Sequence, residues 1–401
     1  MKSTRAIRQS GAVSLFVVVF AILLMSVVTI SFLRIMTNDQ QQAANNDLSQ
    51  SAYDSALGGV EDAKRALVKY KQTCEDTPGD CSSWTSNIAS TTCNTGIVYS
   101  GVVGSGVGSS EVKIQQSSGD QALDQAYTCV TMQLDTDDYV LDLSPSASGL
   151  IPLITDAGDS FTKVRVEWFS KDDVSNDAGD VEVGTVGATK PLPQLTATAN
   201  DWDADTPPIM RTQFMQIPSG DVTLSDFDVT EGASSNTNTL FLYPSTNGSS
   251  TVTMTNRDIR QAKGSPSAQP ADGAADTPYL TRCAQTVNSG SYACSMTITV
   301  PTPIGSADRG IAFLRLTSFY NQASVRVTML DAANSIVQFH EVQPIVDSTG
   351  RANTVFRRVS ARVNLYDTSF PYPEAAVDVT SSFCKDFGVT DTEYIAGSCT
   401  P

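Results

Sequence analysis

The most apolar segment of the chain lies near its N-terminus. Residues 12–33 form an unbroken run of 22 uncharged and mostly apolar side chains. As an α-helix that rises about 1.5 Å per residue, this run spans about 33 Å, which is one crossing of a lipid bilayer. Lys2, Arg5 and Arg8 precede the run, and basic residues favour the cytoplasmic side. The pattern predicts a single-pass membrane helix with a cytoplasmic N-terminus, so that the residues after Arg34 lie outside the cell.

The helical pattern continues past the apolar run. No proline occurs between residue 12 and Pro78, and apolar residues recur every three or four positions. Gly58 and Gly59 interrupt this pattern at a cost of about 1 kcal/mol each, so we expect a kink or a close backbone contact there. The spacing predicts a helix to about Tyr70 that buries one face, made by Ala44, Leu48, Ala52, Ala56, Val60, Ala63, Leu67 and Tyr70.

Farther along the chain the period changes to two. Val164, Val166 and Trp168 alternate with charged residues, and residues 296–300, 324–329 and 359–365 alternate in the same way. A period of two predicts strands with one buried face, and therefore antiparallel sheets. The predicted fold class is α+β, with a long N-terminal transmembrane α-helix followed by a β-rich region.

Segments rich in Gly, Ser, Asp and Pro separate the strands, and the longest of them covers residues 261–277. We interpret it as a boundary between two lobes. The predicted organisation is a transmembrane and amphipathic helix at 12–73, a β-rich lobe at 74–260, a linker at 261–280 and a second β-rich lobe at 281–401.

All eight cysteines follow the apolar run. An even number of cysteines outside a membrane indicates disulfides. Zinc is the rival interpretation, but there is no Cys-x-x-Cys pair and His340 is the only histidine. The clustering favours Cys283 with Cys294, Cys384 with Cys399, and two bonds among Cys74, Cys81, Cys93 and Cys129.

The segment from Gln9 to Phe16, with the sequence Gln-Ser-Gly-Ala-Val-Ser-Leu-Phe, resembles the start of type IV pilin-like proteins. The resemblance implies that a prepilin peptidase removes residues 1–11 as a leader by cutting after Gly11, and that Ala12 becomes the methylated N-terminus. The helix would then move from the membrane into a filament. The implied partners are other pilin subunits, the peptidase, the pilus assembly platform and the membrane.

Two further features bear on this resemblance. The loop from Cys384 to Cys399 is similar to the disulfide loop that closes many pilins. The family's glutamate at the fifth mature position falls on Phe16, which has no charge to pair with a neighbour's terminal amine. Major pilins usually carry that acid, so the resemblance favours a minor or tip subunit.

Candidate chemistry is sparse. A nucleophile system would depend on His340 alone, for which we expect an ordinary structural role in a strand. Calcium is a better site hypothesis than a nucleophile, because oxygen ligands cluster on two loops. Solvated acidic loops are the commoner interpretation of such clusters. One loop contains Asn200, Asp201, Asp203 and Asp205, and the other contains Asp172, Asp173, Asn176, Asp177 and Asp180. No other cofactor is expected.

The charge argues against a nucleic-acid partner, because the chain carries −17 at pH 7. Arginines nevertheless outnumber acidic residues between positions 301 and 370. They would form either a local basic face or cross-strand ion pairs, and we favour ion pairs.

Three hypotheses follow. The first is a non-enzymatic minor or tip subunit of a type IV pilus or related filament, which contributes to assembly, adhesion or motility and contacts a host or cell-surface ligand. The second is a membrane-anchored surface adhesin that does not polymerise. The third is an anchored carbohydrate-active enzyme, since two distant carboxylates would suffice for catalysis.

Overall fold

The computed structural model describes residues 11–77, 81–103, 111–114, 124–145, 147–184, 202–217, 237–254, 279–305 and 311–366. Three α-helices come first: α1 (Gly11–Asp76), α2 (Cys81–Ile88) and α3 (Thr95–Ser100). The β-strands follow: β1 (Val112–Lys113), β2 (Gln125–Gln133), β3 (Tyr139–Leu143), β4 (Ser148–Pro152), β5 (Ser160–Ser170), β6 (Ile209–Ile217), β7 (Thr237–Ser245), β8 (Thr251–Thr253), β9 (Tyr279–Arg282), β10 (Tyr292–Gly305), β11 (Ile311–Phe319), β12 (Ala323–Leu330), β13 (Ile336–Val337), β14 (Ile345–Ala352) and β15 (Val355–Arg362). The long helix and the β-rich, disulfide-bonded region are as predicted.

Helix α1 packs on a four-stranded sheet with the strand order β1-β2-β14-β15. The buried side of the helix consists of Ala52, Ala56, Val60, Ala63, Ala66, Leu67 and Tyr70. The predicted apolar face is therefore correct from Ala52 onward. Ala44 is exposed and Leu48 is half-buried. The reason is that the sheet ends near Ser49, at the β14–β15 hairpin. There Ser49 accepts a 2.7 Å hydrogen bond from Arg357 Nε.

The helix is one continuous element through Gly58 and Gly59, so the predicted close contact is present rather than a kink. A Cβ atom on Gly59 would collide with Ser348 Oγ and lie 2.8 Å from Val130 Cγ2. On the facing strand, a Cβ on Gly350 would collide with backbone atoms of Ala52 and Ala56. Glycine is required on both sides because the helix backbone lies directly on the sheet.

The end of α1 at Asp76 lies beyond the predicted end at about Tyr70. Two contacts hold the additional residues. Lys71 Nζ donates a 2.8 Å hydrogen bond to the carbonyl of Leu365, and Cys74 forms a disulfide with Cys81 at the start of α2.

A second core lies between two larger sheets. One has the order β13-β12-β5-β10-β8, with β3 also paired to β12, and the other has the order β4-β11-β6-β7-β9. Trp168 and Met296 from the first sheet share a buried cluster with Phe214 and Leu314 from the second. The predicted alternation is confirmed for β5, β10 and β12, because the alternating apolar residues of these strands lie in this core.

This sandwich is inserted into the helix-bearing sheet. Strands β2 and β14 are antiparallel neighbours, and Gln133 at the end of β2 pairs with Ile345 at the start of β14. All the strands from β3 to β13 lie in the chain between these two residues. We call β3–β13 the inserted sandwich, and α1–α3 with β1, β2, β14 and β15 the helix–sheet module.

The nesting corrects the predicted division into consecutive lobes. Strand β5, from the predicted first lobe, pairs with β10 and β12 from the predicted second lobe. Likewise, β6 and β7 pair with β11 and β9. Both sheets of the inserted sandwich therefore need strands from either side of residues 261–280, of which 261–278 lie outside the described residues.

Candidate functional site

The first half of α1 is an uncovered apolar helix. Its large apolar side chains from Leu15 to Met36 are 47–73% exposed, and an 18-residue window has a mean hydropathy of 2.8 with 0% of it buried. By length and composition the helix can cross a membrane. Surfaces of this kind are stable only when lipid or other apolar side chains cover them.

The hydroxyl groups within this segment are satisfied by the helix itself. Ser26 Oγ donates to the carbonyl of Ile22 at 2.8 Å, and Thr29 Oγ1 donates to the carbonyl of Met25 at 2.7 Å. Ser31 makes the same bond one turn back at 2.9 Å. Internal bonding removes the cost of placing these hydroxyls in an apolar environment.

The sequence places the processing candidates at the start of this helix. The helix begins at Gly11, and Ala12 follows within it. Phe16, at the position of the expected glutamate, is 73% exposed. This end of the helix therefore presents an aromatic ring where a carboxylate stands in the resembled family.

Two tyrosine–carboxylate bonds fix the second half of α1, one to its sheet and one to the chain segment that precedes β14. Tyr127 of β2 donates to Asp62 Oδ2 of α1 at 2.8 Å. In the second bond the tyrosine belongs to the helix: the Tyr70 hydroxyl of α1 donates to Glu341. The same hydroxyl shares a 2.9 Å hydrogen bond with the Thr85 hydroxyl. Burial first, and then the neighbouring carboxylate, raises the pKa of both phenols above the ordinary value, so both remain donors at physiological pH.

The inserted sandwich is joined to the helix–sheet module by two chain segments, residues 134–138 and 338–344, which we call the neck. Thr136 and Phe339 exchange backbone hydrogen bonds of 3.0 and 2.8 Å across it. Gln343 is 4% exposed, and its amide bonds both the N–H and the carbonyl of Val140. The neck is therefore a hydrogen-bonded, largely buried connection.

The only histidine lies in this neck, not in a strand. His340 Nδ1 is 2.7 Å from Asp135 Oδ1, and Nε2 is 3.5 Å from Glu341 Oε1. The bond to Asp135 raises the pKa of His340, and burial opposes it. Glu341 has a φ of 56°, in the left-handed region, and its side chain meets both the imidazole and Tyr70. This geometry assigns His340 to holding the neck together.

The two acidic loops proposed for calcium do meet, but through hydrogen bonds. Asp205 accepts from the backbone N–H of Ser175 at 2.6 Å and from the Asn176 amide at 3.2 Å, and the bond to Ser175 lowers the pKa of Asp205. Asp173 accepts from the N–H groups of Ser170 and Ser324.

The remaining members of these loops do not complete a site. Asp172, Asp177, Asp180 and Asp203 are exposed, while Asn200 and Asp201 lie outside the described residues. Within the described ranges, no group of three His, Cys, Asp or Glu side chains is arranged to hold a metal. The carboxylate oxygens of Asp205 that a cation would need already accept hydrogen bonds from the other loop.

The arginines between 301 and 370 mostly form ion pairs, as favoured from the sequence. Arg326 bonds Glu167 directly across β12 and β5 at 2.9 Å. Arg351 bonds Glu111 and Asp124, Arg358 bonds Asp347, and Arg362 bonds Asp138, at 2.6–3.1 Å. Arg309 lies outside the described residues.

The structure contains three disulfides within the described ranges. Cys74–Cys81 joins α1 to α2, Cys93–Cys129 joins the segment before α3 to β2, and Cys283–Cys294 joins the end of β9 to β10. The predicted Cys283–Cys294 pair and the two bonds predicted among the first four cysteines are present. Cys384 and Cys399 lie outside the described residues.

No protein-family model, curated protein or solved structure matches the chain. The arrangement of a long, partly uncovered N-terminal helix on an antiparallel sheet, followed by a disulfide-bonded β-rich region, is compatible with a pilin-like architecture.

Proposed function

We propose that the chain is a subunit of a type IV pilus or a related filament, located at the end of the filament. A membrane holds the chain through α1 before assembly, and neighbouring subunits cover the same apolar surface afterwards. The prepilin peptidase and the assembly platform are the partners of the N-terminal segment, and the inserted sandwich is the part that reaches a host or cell surface.

The position of the insertion carries this proposal. The chain leaves the helix–sheet module at Gln133 and returns at Ile345, and Glu341 in the returning segment bonds Tyr70 near the end of α1. Tyr70 is about 50 Å along the helix from Met36, where the uncovered apolar half ends. The inserted sandwich is therefore attached at the end of α1 that is remote from the membrane segment.

A filament of parallel helices grows by stacking each subunit on the next along the axis. A second β-domain at the remote end of α1 occupies the volume that the next subunit would need. At the end of the filament no further subunit has to be placed there, so the inserted sandwich causes no clash. Phe16 supports the same position, because a terminal subunit has no neighbour beyond it whose amine requires a carboxylate.

A non-polymerising surface adhesin is the second candidate. One observation favours it: the uncovered segment has about the length of a single bilayer crossing, and its hydroxyls are already bonded internally. Lipid alone can then cover the apolar surface of the helix, without neighbouring subunits.

The N-terminal peptide mass of the protein from its native membrane tests the proposal. We expect a chain that starts at N-methylated Ala12 when the peptidase is present and at Met1 when it is absent. Gly11→Leu is the matched variant, because it blocks cleavage and leaves the apolar helix intact. An N-terminus at Met1 in both strains would contradict the filament subunit and favour the anchored adhesin.

Location is the second measurement. Gold-labelled antibodies against the inserted sandwich are expected to mark filament ends. Labelling along the whole filament would refute the terminal position even if processing occurs after Gly11.

A further inference from the structure

A groove lies where the neck meets the outer face of the four-stranded sheet. Its volume is about 590 Å³, which is within the range of small-molecule sites. The segment after α2 forms one wall and contributes hydroxyl groups. The other polar side chains in the groove are Thr131, Gln133, Asp135, Gln338, Asp347 and Arg358.

These strands present one face to α1 and the other to the groove. Val346, Ser348 and Gly350 of β14 point toward the helix, and the residues between them point away. Asp347 is paired with Thr131 of β2 across the sheet. The groove floor is therefore built by neighbouring, regular strands rather than by loops.

Each planar polar group in the groove is already fixed by a bond on one side. Arg358 Nε lies 2.7 and 2.9 Å from the two Asp347 oxygens. His340 holds Asp135 at 2.7 Å. The Gln133 amide donates to the carbonyl of Asp135, and the Gln338 amide donates to Asp137, both at 2.8 Å. Fixed groups bind a ligand with less loss of side-chain entropy than free ones.

The charge of the groove disfavours anionic ligands, and its mixture of hydrogen-bond donors and acceptors suits a ligand with many hydroxyl groups. Two carboxylates and one guanidinium line it, within a chain of net charge −17. This balance repels phosphates and acidic polymers. Carboxylates accept from ligand hydroxyls, while guanidinium and amide N–H groups donate to them, so neighbouring hydroxyls on a ring satisfy both kinds of group.

An exposed aromatic ring lies on the same face of the sheet, outside the lining of the groove but two residues from Arg358, which does line it. Phe356 is two residues from Arg358 on the same face of β15, and it is 55% exposed. An exposed phenylalanine is costly in water, and its ring provides an apolar surface for the C–H face of a pyranose.

We propose that this groove binds an uncharged oligosaccharide, with Asp347, Arg358 and Thr131 bonding its hydroxyls and Phe356 contacting an adjacent sugar ring. The site is formed by the helix–sheet module and the neck of a single chain and does not require filament assembly. Its failure is therefore distinguishable from failure of the filament proposal, which the processing of Gly11 tests.

The test uses the full chain in lipid nanodiscs, free of glycolipids and of glycoside detergents that would compete. The probes are immobilised neutral oligosaccharides of glucose, mannose, galactose and N-acetylglucosamine, with sialylated oligosaccharides and spermine as charged comparators. We expect at least one neutral probe to bind more tightly than both charged classes. No binding of any neutral probe, or a preference for a charged one, would overturn the proposal.

Variants then place the binding in the groove. Asp347→Asn keeps the shape and removes a charged acceptor, so affinity should fall about tenfold. Thr131→Val and Phe356→Ala should each reduce it about fivefold. Thr297→Val, on the half-buried outer face of β10, is the matched control and should bind normally. Unchanged binding in both Asp347→Asn and Thr131→Val would refute the site.

Discussion

Two adjacent glycines in α1 allow the helix–sheet contact to be measured with an internal control. Alanine at either Gly58 or Gly59 adds one methyl group to the same helix and improves helix propensity by about 1 kcal/mol. A Cβ at Gly58 meets only the end of the half-buried Ile114 side chain, 3.1 Å away. A Cβ at Gly59 collides with Ser348, which is 0% exposed, and crowds Val130, which is 1% exposed.

The propensity gain is the same in both variants, so it cancels in their comparison. What remains is the cost of overpacking a close-packed contact, about 1–3 kcal/mol. We expect Gly58→Ala to raise the local stability of α1 by up to about 1 kcal/mol. Gly59→Ala should be less stable than Gly58→Ala by about 1–3 kcal/mol.

Native-state hydrogen exchange of the full chain in nanodiscs measures this difference. The relevant amides are those of residues 52–70, and the amides of β5 in the inserted sandwich serve as an internal reference. Equal opening free energies in the two variants would show that the helix does not lie directly on the sheet. Gly350→Ala should repeat the loss from the sheet side, because its Cβ would lie 2.9 Å from Ala56 Cα.

Three other predictions concern the neck and the contact between α1 and its sheet. The pKa of His340 in the folded chain should exceed its ordinary value of 6.5, so the bond to Asp135 stabilises the fold fully below about pH 6.5, and this stabilisation is lost as the pH rises through the folded-state pKa. NMR titration of this sole imidazole measures the shift, and Asp135→Asn should lower the pKa of His340. Tyr127→Phe removes the bond to Asp62 and should cost about 1 kcal/mol in urea unfolding, whereas an unchanged midpoint would contradict that bond. Replacing residues 134–344 by Asn-Gly should leave a folded helix–sheet module, since the strand ends are already paired; loss of the β2–β14 exchange protection would refute this.

The elements of the fold were largely predictable, because they depend on local periodicity. The three- and four-residue spacing identified the buried side of α1, and the alternation at Val164 and Val325 identified strands of the sandwich core. The glycine pair in α1 signalled a close approach. In each case the pattern reports which side of an element faces a core.

The nesting of the inserted sandwich was not predictable in this way. Strand pairing depends on partners far apart in sequence, and alternation is equally satisfied by consecutive lobes. The Asp205 and Asp173 carboxylates show a similar limit. Acidic loops predict either cation binding or bonding to backbone N–H groups, and only the fold places Ser175 and Ser324 within reach.

The groove shows the limit most clearly. Asp135, Gln338 and Asp347 come from separate segments of the chain and share no motif. Exposed Phe356 at an alternate position from Arg358 was the available local signal, and it becomes informative only when the face of β15 is known.

The nested neck also has a consequence for the order of folding. Closing β2 onto β14 directly across an unfolded segment of about 210 residues costs about 4 kcal/mol more chain entropy than closing a two-residue turn. A sandwich that folds first brings Thr136 and Phe339 together and removes most of that cost. Although α1 and β2 are synthesised early, their sheet gains β14 only after the sandwich has formed. Until then, the apolar side of α1 from Ala52 to Tyr70 lacks its partner strand β14, so this is the stretch where a newly made chain most needs protection from aggregation.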